Sequence, residues 1–410
     1  MTVTTRETVA PHRLIALIDR VHASQVTVAA SLLLVAPFNP RIAIISLISL
    51  LIFSYGWHFF RTGIIGPSGG WPKPAAPFYW ISALFVWGCI SLFWTLDVVE
   101  GISRLAKFGG MIPLGYLLFV APGLRRRPTG LSPFWLYLAS AVLFTLFAIF
   151  IRPTLESGRV DVLTNRTIVE YCLFLFPLGA MLFTDHRTRF KSFILYCTMI
   201  TLAVIVTFPT NSQSAVLVIP VGIIGILTAC FIPRLSFKML QACVVLLALC
   251  MPVIVLLLGM LPDEILQTEF MREGSAEHRI AIWNSFLELV NRAIIVGWGF
   301  SASLLFDPII LGLSSEELSN FVSAPHPHNA FLQVWIEMGV VGATVFCGFI
   351  LSIIRLNRMS KMAMEPFNFA SSLCILAVMS FSHGAFQTWW LATLLLLFFG
   401  LSNRSKSMAN

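Results

Sequence analysis

The chain has 410 residues, of which 57% are hydrophobic and only 11% are charged. Soluble domains carry about 25% charged residues because their surfaces face water, so this composition excludes an ordinary water-soluble protein. It also excludes a disordered chain, a collagen-like repeat and a disulfide-rich secreted scaffold. With a mean hydropathy of +0.86, the chain is expected to lie in a lipid bilayer.

The basic residues indicate membrane topology. The formal net charge is +8, yet these residues occur in twos and threes between apolar runs and form no continuous stripe, which argues against nucleic acid as a partner. The eight cysteines lie inside apolar runs without a Cys-x-x-Cys pair. They are interpreted as small packing residues, not as disulfides or metal ligands.

Apolar runs long enough to cross a bilayer predict about twelve transmembrane helices, and therefore an all-α polytopic membrane bundle. The first 24 residues are mixed in composition and lack a signal-peptide cleavage site, so they are expected to remain on the protein. The predicted spans are residues 25–38, 41–60, 77–96, 108–122, 133–151, 167–184, 192–208, 213–232, 239–261, 329–354, 367–386 and 388–401.

Lysine and arginine placement predicts the orientation, since positive loops stay in the cytoplasm. With both ends inside, 18 of the 27 basic residues face the cytoplasm. In a bacterium, the loop 262–327 then faces the periplasm across the inner membrane. The predicted organisation is a cytoplasmic segment (1–24), nine spans (25–261), this periplasmic loop (262–327), three spans (328–402) and a cytoplasmic tail (403–410).

The long outward loop is expected to carry function, because long ordered loops usually bind or react. From Ser275, a plausible N-cap, it is predicted to form a surface helix with apolar residues at helical spacing. Such a helix can lie on the membrane surface or roof a cavity. Arg279 and Trp283 are four residues apart and would share one side of it.

The loop ends in Pro325-His326-Pro327-His328-Asn329. The prolines force an extended approach, so a helix can begin only at about His328 or Asn329, with Asn329 as its N-cap. A helix N-terminus attracts phosphate and disfavours a protonated imidazole, so His328 is expected to stay neutral and able to accept a proton. Alternatively, His328 merely bonds a loop carbonyl. The pair His326 and His328 supplies too few ligands for zinc.

The motifs in this region resemble those of the O-antigen ligase and polymerase superfamily. His328-Asn329-Ala330-Phe331-Leu332 followed by Glu337-Met338-Gly339 is similar to its His-Asn-x-x-Leu and Glu-x-Gly signature. Arg279-x-x-x-Trp283 followed by Gly297-Trp298-Gly299 resembles its Arg, Trp and Gly-aromatic-Gly pattern. Weaker similarities are Ser91-Leu92-Phe93-Trp94-Thr95-Leu96-Asp97 after the third span and Asn165-Arg166 at the sixth.

The resemblance implies glycan transfer from an undecaprenyl-pyrophosphate carrier to a second glycan at the periplasmic face. It implies neither nucleotide sugar nor cofactor nor catalytic metal, and an all-helical fold akin to the lipid-linked-sugar glycosyltransferases of the GT-C type. In ligases of the superfamily the acceptor is lipid A-core, and in polymerases it is another carrier-linked repeat.

The resemblance also assigns roles to residues. His328 would activate the acceptor hydroxyl, and Arg279 would bind pyrophosphate, for which arginine has the permanent charge and bidentate geometry. Alternatively, Arg279 pairs with Glu273 or Glu277 on a solvated face. The second arginine of the family falls at Gln213, which is uncharged, so Arg166 or Arg272 would have to supply that charge. Direct attack on the anomeric carbon would invert its configuration. Further expected substrate contacts are His326, Asn329 and Trp283.

Two acidic residues lie inside predicted spans. Glu337 is about two turns, or about 12 Å, into the tenth span, and a buried carboxylate there is either functional or paired with a loop arginine. Glu170 in the sixth span has the same two interpretations. Trp71, Trp389 and Trp390 are interpreted as interfacial anchors.

Several functions remain open on the sequence. The single long outward loop favours a ligase, whereas Arg152, Arg159 and Arg166 in a shorter outward loop could grip a second carrier, as a polymerase requires. Twelve spans with both ends inside also suit a lipid-glycan flippase or secondary transporter, although carriers place their sites at mid-membrane. A non-catalytic partner of a glycan export complex is a third class.

Overall fold

The computed structural model describes residues 42–67, 70–121, 132–147, 157–183, 189–208, 210, 212–266, 268, 276–304, 326–358 and 365–397. Every regular element in these ranges is helical, which confirms the all-α class. The first predicted span (25–38), Ser275 and Arg272 lie outside the described residues. The principal helices are α1 (Ile42–Thr62), α2 (Ala76–Ser91), α3 (Val98–Val120), α4 (Ser132–Leu146), α5 (Ser157–Leu182), α6 (Arg189–Thr207), α7 (Gln213–Phe231), α8 (Pro233–Leu249), α9 (Met251–Gly259), α10 (Ala276–Arg292), α11 (Ala330–Arg358), α12 (Glu365–Phe381) and α13 (Thr388–Leu395).

The helices form a multi-pass membrane protein. Large apolar side chains such as Ile52 and Phe231 are exposed on the outside of the bundle, where lipid rather than water accounts for them. Four described helices are long and apolar enough to cross a membrane, namely α1, α6, α7 and α11, and the bent pair α8 and α9 would make a fifth. Shorter apolar helices accompany them. The count of twelve spans stays a prediction.

Two helices begin about ten residues before the predicted spans that they contain. Helix α3 starts at Val98 because Asp97 caps it, accepting hydrogen bonds from the backbone N–H groups of Val99 and Glu100. Helix α5 similarly starts at Ser157. Hydropathy detects the apolar part of a helix only, so polar first turns were missed.

The predicted ninth span, residues 239–261, is wrong as a single helix. It is two helices, α8 and α9, bent by 76° at their junction. Pro252 has no N–H to donate to the carbonyl of Ala248, four residues earlier, and so breaks the ladder. The indole N–H of Trp335 donates to that carbonyl instead, at 2.7 Å.

Helix α11 is also not continuous. Gly339 has φ 64° and ψ −163°, which interrupts the helix within the predicted tenth span. At this point its backbone pairs with the segment that follows α10. Trp298 N–H donates to Ile336 O at 2.8 Å, and Val340 N–H donates to Ile294 O at 2.8 Å. The interruption therefore ties α11 to the chain around Gly297-Trp298-Gly299.

Helices α7 and α12 pack antiparallel in the core. Cys374 Sγ donates to Val218 O at 3.3 Å, and Gly225 lies against Ala370. The start of α7, with Gln213, therefore lies at the end of the bundle where α12 ends. All eight cysteines are free, as the sequence predicted.

Candidate active site

Segments that follow or precede the helices meet at one end of the bundle. The turn after α2 is hydrogen-bonded to the turn at residues 297–301. Phe300 N–H donates to Ser91 Oγ at 3.0 Å, Thr95 Oγ1 donates to Phe300 O at 2.8 Å, and Trp94 Nε1 donates to Gly297 O at 3.1 Å. The segment Ser91 to Asp97, which resembles the superfamily only weakly, is thus hydrogen-bonded to the Gly-aromatic-Gly motif. Both lie on the side of the membrane that is predicted to face outward.

The glycines of the two signature motifs are required where backbones touch. A Cβ on Gly339 would lie 2.3 Å from Ile295 O, and a Cβ on Gly297 would lie 2.5 Å from the carbonyl carbon of Glu337. Both residues also have positive φ, 64° and 70°, which side chains disfavour. The Glu-x-Gly and Gly-aromatic-Gly patterns therefore specify one backbone junction.

Helix α10 supports the histidine segment. Its face formed by Ile280, Trp283, Phe286, Leu287 and Val290 is buried, as the helical spacing predicted. The indole N–H of Trp283 donates to the carbonyl of Pro327 at 2.8 Å. Trp283 thus fixes the residue before His328, and its role as a substrate contact stays a prediction.

Arg279 lies one turn before Trp283 on α10, where it is partly buried. Burial lowers the pKa of its guanidinium, although arginine remains charged at neutral pH. Within the described part of the chain it forms no salt bridge. Its charge acts on His328, since it contributes to lowering the pKa of that imidazole. The structure therefore places the predicted cation near the predicted base.

Asn329 caps α11 as predicted. Its Oδ1 accepts a hydrogen bond from Leu332 N–H at 3.0 Å, and the helix begins at Ala330. Its Nδ2 donates to Met251 Sδ at 3.7 Å, at the bend between α8 and α9. Asn329 is fully buried. These contacts are structural, and direct contact between Asn329 and substrate stays a prediction.

His328 is held in an uncommon conformation. Its φ is 51°, in the left-handed region that non-glycine residues rarely adopt. Its backbone N–H donates to His326 Nδ1 at 3.1 Å, and its own Nδ1–H donates to the carbonyl of Ser382 at 3.3 Å. The carbonyl contact was the alternative interpretation of His328. It also leaves Nε2 as the proton-accepting nitrogen, so the two interpretations are compatible.

The electrostatics keep His328 neutral. Burial lowers its pKa, the positive charges of Arg279 and Arg166 act in the same direction, and the hydrogen bond to Ser382 opposes them. Burial also lowers the pKa of His326 to about 3, assisted by His328, Arg166 and Arg104. The two rings lie 4.0 Å apart between centroids. The predicted neutral state of His328 thus agrees with its surroundings.

Arg166 lies beside this cluster. Its guanidinium carbon is 5.4 Å from the ring centroid of Trp389. Trp389 and Trp390 are both buried, and the His383 ring packs against them at 5.0 and 4.8 Å. The interpretation of these tryptophans as interfacial anchors was therefore wrong, because tertiary packing encloses them. Arg166 is the described candidate for the second cation.

Glu337 is fully buried at the base of the site. Its carboxylate accepts hydrogen bonds from Ser301 N–H at 3.0 Å, from Gln333 Nε2 at 2.9 Å and from the Ser303 hydroxyl. In the described part of the chain its partners are these neutral donors, not a loop arginine. Gln333 Oε1 in turn accepts from Ala385 N–H at 2.8 Å. Glu337 thus joins α11, the 301–303 turn and the loop before α13.

Glu170 has one neutral donor in the described structure. The hydroxyl of Thr393 on α13 donates to Glu170 Oε1 at 2.5 Å. Both residues are buried. The contact joins α5 to α13, which favours the structural interpretation of Glu170.

The sequence missed a polar cavity next to His326. Arg104, Ser301 and Gln387 face it together with His326. Nothing in the sequence singles out Arg104, because its spacing from Glu100 is that of an ordinary ion pair one helical turn apart, which the structure shows. Gln387 lies between the predicted spans 367–386 and 388–401 and therefore has no predicted role. The only signal of a polar site there is Ser382-His383-Gly384, which interrupts a long apolar run. The cavity is lined by Arg104, Phe300, Ser301, Leu304, His326, Gln333, Glu337, Phe386 and Gln387.

Across the described residues, no three His, Cys, Asp or Glu side chains are grouped to hold a metal ion. The polar groups of the site are instead imidazole, guanidinium, hydroxyl and amide groups. This set suits hydrogen bonding to oxygen-rich substrates and proton transfer.

The fold and the site define a multi-pass helical membrane protein with a histidine and arginine site at one end of its bundle. Residues 197–347 match the family model described as O-antigen ligase. The matched stretch contains Arg279, His326, His328 and Glu337, whereas Arg104, Arg166 and Gln387 lie outside it. This match confirms the resemblance to the O-antigen ligase superfamily that the motifs carry.

Similar proteins occur in Rickettsia. A protein of Rickettsia prowazekii named "putative polysaccharide ligase" is 22% identical over 313 residues, covering 72% of this chain and 73% of its own length. A Rickettsia typhi protein of the same name is 22% identical, with coverage of 75% and 76%. A third, from Rickettsia conorii, is 20% identical, with coverage of 76% of both chains.

Proposed function

We propose that this protein transfers a glycan from an undecaprenyl-pyrophosphate carrier to a saccharide acceptor, with lipid A-core as the favoured acceptor. The reaction takes place on the periplasmic face of the bacterial inner membrane. The observation that carries this proposal is His328. It is held neutral beside Arg279 and Arg166, and its Nδ1 is already bonded to Ser382, so Nε2 can accept a proton.

The reaction balances without a further reactant. The acceptor hydroxyl oxygen attacks the anomeric carbon of the first donor sugar, and the hydroxyl proton passes to His328 Nε2. The bond between the anomeric carbon and the pyrophosphate oxygen breaks, and the carrier pyrophosphate leaves with the bonding electron pair. Because attack and departure occur on opposite faces, the anomeric configuration inverts. Proton acceptance of this kind is typically worth about 10² to 10⁴ in rate.

The arginines serve the leaving group. Negative charge grows on the pyrophosphate as the bond breaks, and fixed positive charges stabilise it most in a site with little water. Arg279 is partly buried and forms no salt bridge among the described residues, so its guanidinium has N–H donors for a phosphate. Arg166 supplies the second charge that the uncharged Gln213 cannot. Gln213 begins α7 at the same end of the bundle.

The ligase assignment is supported by the family description and by the names of the Rickettsia relatives. A polymerase of the same superfamily would use the same base and leaving group with a second carrier-linked glycan as acceptor. The two differ in the acceptor alone.

The test is a deletion strain of the source bacterium complemented with wild-type protein or with His328→Ala. We expect loss of long glycan from lipid A-core, accumulation of polymer on the carrier in the periplasm, and rescue by wild type alone. Core or carrier bearing a single repeat unit would reassign the protein as a polymerase. Carrier-linked glycan left facing the cytoplasm would reject transfer in favour of flipping.

A further inference from the structure

The cavity beside His326 contains two buried polar atoms whose hydrogen bonding is incomplete. Ser301 Oγ and one end of the Gln387 amide are shielded from solvent and have no hydrogen-bond partner among the described residues. Both residues line the same cavity. Buried polar atoms are nearly always hydrogen-bonded, because leaving one unpaired costs free energy, so two in one cavity point to a ligand.

The backbone of Ser301 strengthens this argument. Ser301 is 1% exposed and has φ 72°, a conformation that glycine adopts without strain. A serine here is strained and also buries an unpaired hydroxyl, two costs that glycine would avoid. Strain of this kind persists where a site uses the side chain. The hydroxyl therefore has a use that packing within the described structure does not provide.

The charges of the cavity favour a neutral ligand. Arg104 is balanced by its salt bridge with Glu100, and the carboxylate of Glu337 also lines the wall. A phosphate placed here would meet that carboxylate. The region of His328, by contrast, is under the influence of Arg279 and Arg166. Anion binding is therefore expected beside His328 and not in the cavity.

The remaining groups match the chemistry of a sugar. Arg104 offers only donors, the Gln387 amide offers both donor and acceptor groups, and the Ser301 hydroxyl can do either. Sugar hydroxyls both donate and accept. Phe300 and Phe386, whose ring centroids are 4.8 Å apart, give the cavity apolar surface for the C–H groups of a pyranose ring, as is usual in ligand sites.

We infer that this cavity is a saccharide subsite, in which Arg104, Ser301 and Gln387 bind the hydroxyls of one pyranose unit next to His328. The inference rests on the proposed glycan transfer and names which residues would read the sugar. The unit belongs either to the donor, next to the pyrophosphate, or to the acceptor, next to the attacking hydroxyl. Both sources share the same hydroxyl chemistry.

The test uses full-length protein in detergent with carrier-linked glycan and acceptor isolated from the source bacterium. Ser301→Gly and Gln387→Leu should each raise the KM of one substrate about three- to tenfold, since a hydrogen bond is worth about 0.5–1.5 kcal/mol, with kcat less affected. A raised donor KM places the sugar on the carrier side, and a raised acceptor KM places it on the acceptor side.

Arg292→Gln is the matched control for Arg104→Gln. Both arginines pair with a glutamate one turn away in a helix, but Arg292 lines no part of this cavity. Arg104→Gln should raise the same KM as the other variants, and Arg292→Gln should not. Ser301→Gly should melt no lower than wild type, because it removes strain and an unpaired hydroxyl, so its KM is measured on folded protein.

Other results would overturn the subsite. Unchanged KM values in Ser301→Gly and Gln387→Leu would do so, as would a fall in kcat alone, which would restrict Gln387 to holding His326. If wild type transfers no glycan, the proposed function fails, and binding of methyl glycosides measured by saturation-transfer NMR decides the subsite separately. No glycoside signal, a signal that persists in both variants, or binding of inorganic pyrophosphate that both variants abolish would overturn the saccharide subsite.

Discussion

His328 and Ser382, 54 residues apart, are joined by a hydrogen bond from His328 Nδ1–H to the Ser382 carbonyl oxygen. A carbonyl oxygen can only accept, so this bond fixes which imidazole nitrogen carries the proton. The loop before α13 is itself held by Gln333, which accepts from Ala385 N–H. The base is therefore oriented by a chain of contacts that runs back to Glu337.

The first prediction concerns the base itself. His328→Ala should lower the rate of transfer by about 10² to 10⁴, the usual contribution of a proton acceptor, with normal expression and membrane insertion. His326→Ala should lower the rate less, because His326 contacts His328 and lines the cavity but does not accept the proton. Rates in a reconstituted carrier-to-acceptor assay measure both. Wild-type activity in His328→Ala would remove the general-base role.

The second prediction concerns pH. The acidic limb of kcat/KM reports the pKa of the free base, and burial with Arg279 and Arg166 lowers the pKa of His328. Arg279→Gln removes one positive charge that disfavours the imidazolium, so its acidic limb should move to higher pH. Arg279→Lys keeps that charge but loses the bidentate geometry, so it should raise the donor KM with little movement of the limb.

Arg292→Gln is the control for this pH series, because Arg292 lies on the same helix, about 20 Å beyond Arg279 by helical rise, and pairs with Glu288. Its pH profile should overlay that of wild type. An Arg279→Gln profile that also overlays wild type would show that Arg279 does not act on the base.

Local signals in the sequence predicted the start of α11 well. Proline excludes a helix before His328, and Asn329 is a good cap, so the boundary and the cap follow from residues that are adjacent in the chain. The buried face of α10 followed equally from spacing within one helix. These features depend only on residues that are close together in the sequence.

Long-range contacts could not be predicted in this way. Trp389 and Trp390 lie at the end of an apolar run, where tryptophans often anchor a helix at the membrane interface. Their burial follows from the packing of His383 and Arg166 against them, which the sequence does not show. Likewise Arg104 and Gln387 approach His326 across the bundle. Apolar composition identifies a span, but it does not tell which spans become neighbours, since lipid and protein interiors are equally apolar.

The third prediction concerns Glu337. Its two oxygens accept from Ser301 N–H, Ser303 and Gln333. Glu337→Gln replaces one acceptor by an amide NH₂ donor, which sets donor against donor in a buried network. The cost of one unmet buried group is about 1–3 kcal/mol, so the melting temperature should fall. Thermal unfolding of the purified protein measures this change.

A paired variant separates the network from the charge. Ser303→Ala removes one donor but leaves no donor facing another, so it should cost less stability than Glu337→Gln. If Glu337→Gln melts like wild type, the negative charge of Glu337 is not needed to join α11 to the 301–303 turn.

The last prediction concerns the junction between α11 and the segment after α10. A Cβ on Gly339 would lie 2.3 Å from Ile295 O, and its φ of 64° costs other residues about 1–3 kcal/mol. Gly339→Ala should therefore displace the backbone that carries Glu337 and reduce both stability and transfer. The matched control is Gly110→Ala in α3, where a Cβ meets nothing within 4 Å and alanine should stabilise the helix by about 0.5–1 kcal/mol. Because both changes add one methyl group, melting temperatures that fall equally in the two variants would contradict the junction, whereas a fall in Gly339→Ala alone agrees with the close approach and the positive φ at this position.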